Sequence, residues 1–343
     1  MRKRKWAIFA FIMLIAFIFI SLESWRILKA NEKLKIYILS EFRPILGEQL
    51  HISKVHVSFG NIHIKGLNYP LPGNQSSVSI KDLRLGYNFF NLMVRGFDLQ
   101  YISQDVLFDE PTFYIKAALD TMLVSPQGAS SSRLAVIPQL HLESQLKGLE
   151  IFNHITLQKG SIVYSENDSS SITLVHSLKG GIFRNAGDSA FIHLDGAFLN
   201  SDDQNVKIIG RGSLESNNLS TLEATFKNYD LRNGMPFVDK NIMDVQQGNV
   251  EGSVLIRQNS ITNAYELSGS FSLIDGAAYL FDEKMSLSDF QSDFYLQQGS
   301  IFIEKASFDA NNSPAIMSGA ILNIRKPEFD IEIVADSLNS GGI

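Results

Sequence analysis

From His51 onward, apolar residues recur at every second position, and this period constrains the fold more than any other feature of the chain. Val55, Val57 and Phe59 alternate with Lys54, His56 and Ser58; Ile62 and Ile64 alternate with His63 and Lys65. Val78 and Ile80 precede Leu83, Leu85 and Tyr87. Phe97, Leu99 and Tyr101 follow, then Phe113 and Ile115. A period of two puts alternate side chains on opposite faces of a strand, so these runs read as half-buried strands. Further strands are expected over Ile172 to Val175, Phe191 to Phe198, Val206 to Ile209 and Leu222 to Phe226. Val254 to Ile256, Leu267 to Leu273 and Phe329 to Val334 complete the set. The fold class is mainly β.

Turns are expected at Gly60-Asn61, Pro70-Leu71-Pro72-Gly73 and Phe108-Asp109-Glu110-Pro111. A weak repeat accompanies the strands. Gln158-Lys159-Gly160-Ser161-Ile162-Val163-Tyr164 resembles Gln298-Gly299-Ser300-Ile301-Phe302-Ile303. Gln247-Gly248-Asn249-Val250, Asp275-Gly276-Ala277-Ala278 and Phe59-Gly60-Asn61-Ile62 share the form. The unit reads as a turn glycine, a small residue and a strand, because glycine takes positive φ without steric cost. The intervals are irregular, which favours an antiparallel meander over a fixed-period solenoid. Asp230 to Met243 interrupts the meander as a short helix or loop at the sheet edge. Residues 125–133, beginning Ser125-Pro126-Gln127-Gly128, read as a flexible insertion or linker between a first β segment, 48–124, and a second, 134–343. The strand pattern resumes unchanged after it, so one continuous sheet is expected.

Before His51 the pattern differs. Arg2, Lys3, Arg4 and Lys5 lead into an uncharged run from Trp6 to Leu22. Trp6, Ala7, Ile8, Phe9, Phe11 and Ile12 begin the apolar set; Leu14, Ile15, Phe17, Ile18, Phe19 and Ile20 continue it. At about 1.5 Å per residue, roughly 17 to 20 such residues cross a bilayer core of about 30 Å. Residues 1–25 therefore read as a basic cytoplasmic tip and an uncleaved transmembrane signal anchor. Bulky residues around Ser21 argue against a cleaved signal peptide, and an all-round apolar surface argues against a core helix. Segment 26–47 reads as a juxtamembrane helix, with Ile27, Leu34, Ile38 and Phe42 on one face. That face fits either a lipid surface or one end of a sheet. Pro44 disfavours helix at Arg43.

Composition narrows the function classes. With no cysteine, disulfides, thiol nucleophiles and thiolate metal sites are excluded. Net charge is −6, and −10 once the four basic residues near the start are set aside, so a nucleic-acid partner is not expected. No phosphate-binding loop, His-Glu-x-x-His or Gly-x-Ser-x-Gly motif occurs. His51, His56 and His63 cluster in sequence without a nearby carboxylate and read as polar-face strand residues. Asp109-Glu110, Asp202-Asp203 and Asp282-Glu283 read as solvated turn carboxylates. The chain is expected to be no enzyme and to use no metal or cofactor.

The order of features carries a resemblance. A basic tip, an apolar span and a short helix precede Phe42-Arg43-Pro44-Ile45-Leu46-Gly47-Glu48-Gln49-Leu50-His51-Ile52-Ser53 and Gly60-Asn61-Ile62-His63-Ile64-Lys65-Gly66-Leu67. Leu273 to Leu280, and Phe329 to Ile333 with Asp336-Ser337-Leu338-Asn339, add later strand motifs. This arrangement resembles the AsmA-like family of membrane-anchored envelope proteins (AsmA/TamB/YhdP type). The resemblance implies an inner-membrane anchor and an elongated, twisted antiparallel sheet in the periplasm, curling into a groove with an apolar concave face. It also implies a part in phospholipid transport or outer-membrane assembly.

The physical chemistry of such a groove is simple. Exposing an acyl chain to water costs about 0.8 kcal/mol per CH₂, or roughly 12 kcal/mol for sixteen carbons, and apolar strand residues remove that cost. Ile62, Ile64, Ile80, Leu85, Ile162, Tyr164, Ile301 and Ile303 are the candidate groove-lining residues. The expected partners are phospholipid acyl chains and envelope proteins. The rival reading is an anchored β-domain that binds envelope protein partners without moving lipid. For the anchor, a reporter fused after Trp25 is expected to be active only outside the cytoplasm; activity inside would overturn the assigned orientation.

Overall fold

The computed structural model describes residues 31–44, 48–58, 60–70, 76–87, 105–116, 154–167, 170–184, 189–213, 218–233, 243–259, 265–280, 285–297, 299–322 and 328–335. The alternating runs form strands β1 (His51–Ser58), β2 (Asn61–Pro70), β3 (Ser76–Gly86), β4 (Asp105–Lys116) and β5 (His154–Asn167). Then come β6 (Ser170–Arg184), β7 (Ser189–Phe198), β8 (Val206–Ser213), β9 (Asn218–Asp230) and β10 (Met243–Gln258). The last are β11 (Tyr265–Leu280), β12 (Met285–Gln297), β13 (Ser300–Ala310), β14 (Ser313–Leu322) and β15 (Glu328–Ala335). All fifteen belong to one open sheet in sequence order, with β1 and β15 at its edges. The expected strands within the described residues are all present. The expected strand at Phe97 to Tyr101 lies outside them, as does the linker at 125–133.

One pair departs from the meander. β4 and β5 run parallel, with Asp105 opposite His154 and Lys116 opposite Ser165. Parallel neighbours need a crossover connection, and the linker lies in the chain that joins them. The interruption after Asp230 begins as a 3-10 turn, Leu231–Asn233. It follows β9 in the interior of the strand order, so it is not at a sheet edge as expected.

The larger correction concerns the glycine repeat. Gly60 and Gly299 occupy hairpin turns, but Lys159-Gly160, Gly248 and Asp275-Gly276 lie inside β5, β10 and β11. The turn expected at Phe108 to Pro111 is likewise absent, and β4 runs straight through it. Within these stretches Glu110, Lys159 and Asp275, rather than Gly160 and Gly276, take the left-handed backbone that a turn requires and use it within a strand. Glu110, Lys159, Ser177, Asn228, Asp275 and Asp289 all have φ between 47° and 54°. Gly66 in β2 has φ of 61°, and a Cβ there would collide with Ser53 Oγ of β1.

Their positions match across the sheet. Ladder pairing lapses where Ser53 faces Gly66, Gly66 faces Lys81 and Lys81 faces Glu110. It lapses again beside Lys159 and Ser177, and register shifts recur in β10, β11 and β12 near Gly248, Asp275 and Asp289. Each such irregularity bends its strand and raises its twist. Repeated at matching positions, the bends form a line across the sheet.

That line also preserves which side chains face inward. In β2, apolar residues step from Ile64 to Leu67, and in β3 from Ile80 to Leu83; all four are buried. A strand with strict alternation would turn Leu67 and Leu83 outward.

Residues 31–44 form helix α1. Ile38 and Phe42 are buried, and Leu34 and Leu39 pack on the same core cluster as Ile52, Ile62, Ile64 and Leu85. Of the two readings of this helix, its apolar face therefore serves the sheet. The helix includes Arg43 and Pro44, contrary to expectation; the proline bias acts only on the final turn, where chain ends are least constrained. Ile27 and the anchor, residues 1–25, lie outside the described residues. Among the described residues, no helix is long and apolar enough to cross a membrane.

The bend line generates a prediction. A left-handed backbone costs an L-residue about 1–2 kcal/mol, and more when it is β-branched. Asp275→Val is expected to lower unfolding stability by about 1–2 kcal/mol relative to Asp275→Gly. Equal denaturation midpoints for the two variants would show that Asp275 does not hold a left-handed conformation.

Candidate functional site

Cross-strand partners share a face of a sheet, so register identifies what the sheet presents. One row of partners runs through every strand. It begins Val55, Ile64, Leu83, Phe108 and Leu157. It continues through Gly180, Leu194, Ile208, Ala224 and Val254. It ends Gly269, Leu296, Ile301, Ile321 and Phe329. Every member is apolar or glycine. With strands about 4.8 Å apart, the fifteen positions extend roughly 65 to 70 Å along the sheet.

All eight candidate lining residues fall on this apolar face. Ile64 and Ile301 belong to the row itself, and Ile62 pairs with Leu85 beside it. Ile162 lies between Phe113 and Val175, Tyr164 pairs with Ile115, and Ile303 pairs with Phe294. Their environments differ. Ile62, Ile64, Ile80 and Leu85 are at most 1% exposed, packed in the cluster that α1 joins. Ile303 is buried, and Ile162, Tyr164 and Ile301 are half-buried.

The face thus opens along its length. Val106, Ile155 and Leu157 are buried, whereas Phe329 is 70% and Ile333 55% exposed. Phe308, stacked on Phe290 with ring centroids 5.4 Å apart, belongs to a separate small cluster on β12 to β15. Sequence reasoning missed most of the row, including Phe108, Leu157, Leu194, Val254 and Leu296. The signal was present in the phase slips: the step of three from Ile64 to Leu67 recurs from Phe108 to Pro111 and from Leu273 to Gly276.

The opposite face carries an ion-pair network across β2, β3 and β4, whereas on other strands it also exposes apolar residues, among them Phe183, Tyr295, Phe302 and Ile316. His63 Nδ1 lies 3.2 Å from Asp82 Oδ2, and Arg84 Nε donates to the same oxygen at 2.8 Å. Arg84 Nη2 donates to Asp109 Oδ2 at 3.0 Å. Lys81 Nζ donates to Glu110 Oε2 at 2.6 Å, and Lys159 Nζ approaches Glu110 Oε1 at 3.8 Å. Asp109 and Glu110, expected as free turn carboxylates, are thus engaged by neighbouring strands. Burial disfavours the charged form of Asp82, but hydrogen bonds from Arg84 and His63 outweigh it and hold the carboxyl below its ordinary 3.8. The Lys81 hydrogen bond likewise lowers Glu110. His56 sits beside His63, ring centroids 6.3 Å apart. Among the described residues, no group of three or more histidines and carboxylates is placed to hold a metal ion.

Fold and face together define a class: a mainly β protein built as one long open sheet, apolar on one side and mixed in character on the other. Comparison with protein-family models, curated proteins and solved structures finds no match to this chain.

The network predicts a pH dependence. Because the folded Asp82 carboxyl is held low, its stabilising contribution is present above the unfolded value and is lost as pH falls through the folded one. Asp82→Asn is expected to lower the melting temperature of the full chain in detergent at neutral pH, and the deficit should shrink on acidification below 3.8. A deficit that persists unchanged into that acid range would remove the ionised carboxylate from the explanation.

Proposed function

We propose that this chain is an anchored envelope protein of AsmA-like type. Its sheet forms a groove that shields phospholipid acyl chains during lipid transport or outer-membrane assembly. The observation that carries this reading is the row of apolar residues and glycines across fifteen strands, mostly buried over the early strands, half-buried from Ala224 to Ile321 and exposed at Phe329. Three further features support it. The line of strand irregularities bends the sheet towards a trough. Helix α1 closes the β1 end, where the anchor would enter, and leaves the β10 to β15 end open to an acyl chain. Charge is also polarised: residues 31–87 carry seven basic and four acidic side chains, whereas 243–335 carry five basic and thirteen acidic. A basic end suits the surface of an anionic membrane. In this arrangement residues 1–25 span the inner membrane once, the N-terminus is cytoplasmic and the sheet is periplasmic. The chain performs no covalent chemistry.

The rival reading, an anchored module that binds envelope proteins, draws on the dense packing around Ile62, Ile64 and Leu85. That part of the face is already filled by protein. In our reading it is the closed base of the groove, and lipid occupies the later strands.

Neighbouring residues provide the test. Ile301 lies on the apolar face and Phe302 on the other. Photo-crosslinking amino acids at Ile301 and Val254 are expected to yield phospholipid adducts in cells, and one at Phe302 far fewer. Adducts to protein alone from Ile301 and Val254 would overturn lipid transfer in favour of the interaction module.

A further inference from the structure

The two edges of the sheet are treated differently. An edge strand presents a row of unpaired N–H and C=O groups, and natural sheets blunt it with lysine, proline, a bulge or a covering helix. At β1 that protection is present. Helix α1 packs over the first strands, and Lys35 Nζ donates to the Ser53 carbonyl at 3.1 Å.

Among the described residues, β15 has none of these devices. It pairs with β14 along its whole length, from Ala335 opposite Ala315 to Glu328 opposite Leu322, without a register shift. Among the described residues, no strand follows it in the sheet. Its sequence, Glu328-Phe329-Asp330-Ile331-Glu332-Ile333-Val334-Ala335, holds no lysine, arginine or proline, and no residue in it takes positive φ. Its faces differ, although Val334, 59% exposed, shares the side of the acidic residues. Phe329 and Ile333 stand 70% and 55% exposed on the apolar side, while Glu328, Asp330 and Glu332 stand exposed on the other.

We propose that the free edge of β15 receives an extended strand from a partner protein in which apolar residues alternate with lysine or arginine. The apolar residues continue the row beyond Phe329 and Ile333, and the basic ones face Glu328, Asp330 and Glu332. Main-chain hydrogen bonds supply affinity, and the alternating side chains supply specificity. The acidic excess of residues 243–335 selects a basic partner and speeds encounter with it. A second copy offering its own β1 is the less suitable occupant, because α1 already covers that edge. The inference holds whatever the apolar face carries.

The probe is a fluorescent ten-residue peptide of alternating valine and lysine, titrated into the full chain in detergent. Saturable binding is expected. A peptide of the same composition with its valines and lysines in separate blocks should bind far more weakly. The double variant Asp330→Lys with Glu332→Lys should weaken the alternating peptide about tenfold, and a valine–glutamate peptide should recover binding to that variant. Glu251→Lys with Glu304→Lys, equal in charge but distant from the edge, should leave binding nearly unchanged. Equal binding of both valine–lysine peptides, equal loss from the distant pair, or no recovery by the acidic peptide would each overturn the proposal. Self-association of the chain that Asp330→Lys with Glu332→Lys abolishes would assign the edge to a second copy instead.

Discussion

A sheet with one apolar face and no second layer has to cover that face by some other means. Most sheets solve this by packing on helices or on another sheet. Among the described residues a single helix, α1, covers the first strands, with Ile38 and Phe42 seated in the cluster that includes Ile52, Ile62 and Leu85. Towards β15 the cover thins, until Phe329 is mostly exposed. The gradient runs from a closed base at the early strands to an apolar surface with less cover at the late ones.

The irregular strand residues serve the same end. A flat sheet of this length would expose its whole apolar face. Irregularities recur near one level in many of the strands, though not in β15, and each bends its strand. The conformational cost falls on residues such as Glu110, Lys159 and Asp275, which hold a backbone that L-residues disfavour. Polar and charged residues suit these positions because their side chains reach the opposite face, where Glu110 meets Lys81. Such surface pairs contribute little energy, so the bends are maintained mainly by the buried row on the other side.

Much of this was legible in the residues, and some was visible but misread. The alternation after His51 identified the strands, but the eight chosen lining residues share one face only because of the bends: Ile80 and Leu85, five residues apart, would fall on opposite faces under a strict period of two. Lys159-Gly160 and Asp275-Gly276 looked like turns because a tight turn and a strand bend ask for the same left-handed backbone. What distinguishes them is the apolar phase: a turn ends the alternation, whereas a bend shifts it by one residue, as from Leu273 to Gly276. The parallel pairing of β4 with β5 left no local trace, since neither strand's composition records its neighbour's direction.

Residue pattern alone sets the strands and the polarity of charge from the basic early strands to the acidic late ones. These depend on local periodicity and composition, which act within a few residues. Tertiary pairing set the joining of all fifteen strands in one open sheet, the alignment of the bends, and the packing of α1 on the first strands while no described element covers β15. Those are relations between residues distant in the chain. They arise from pairing and burial, and a one-dimensional pattern does not encode which of many compatible partners each strand will meet.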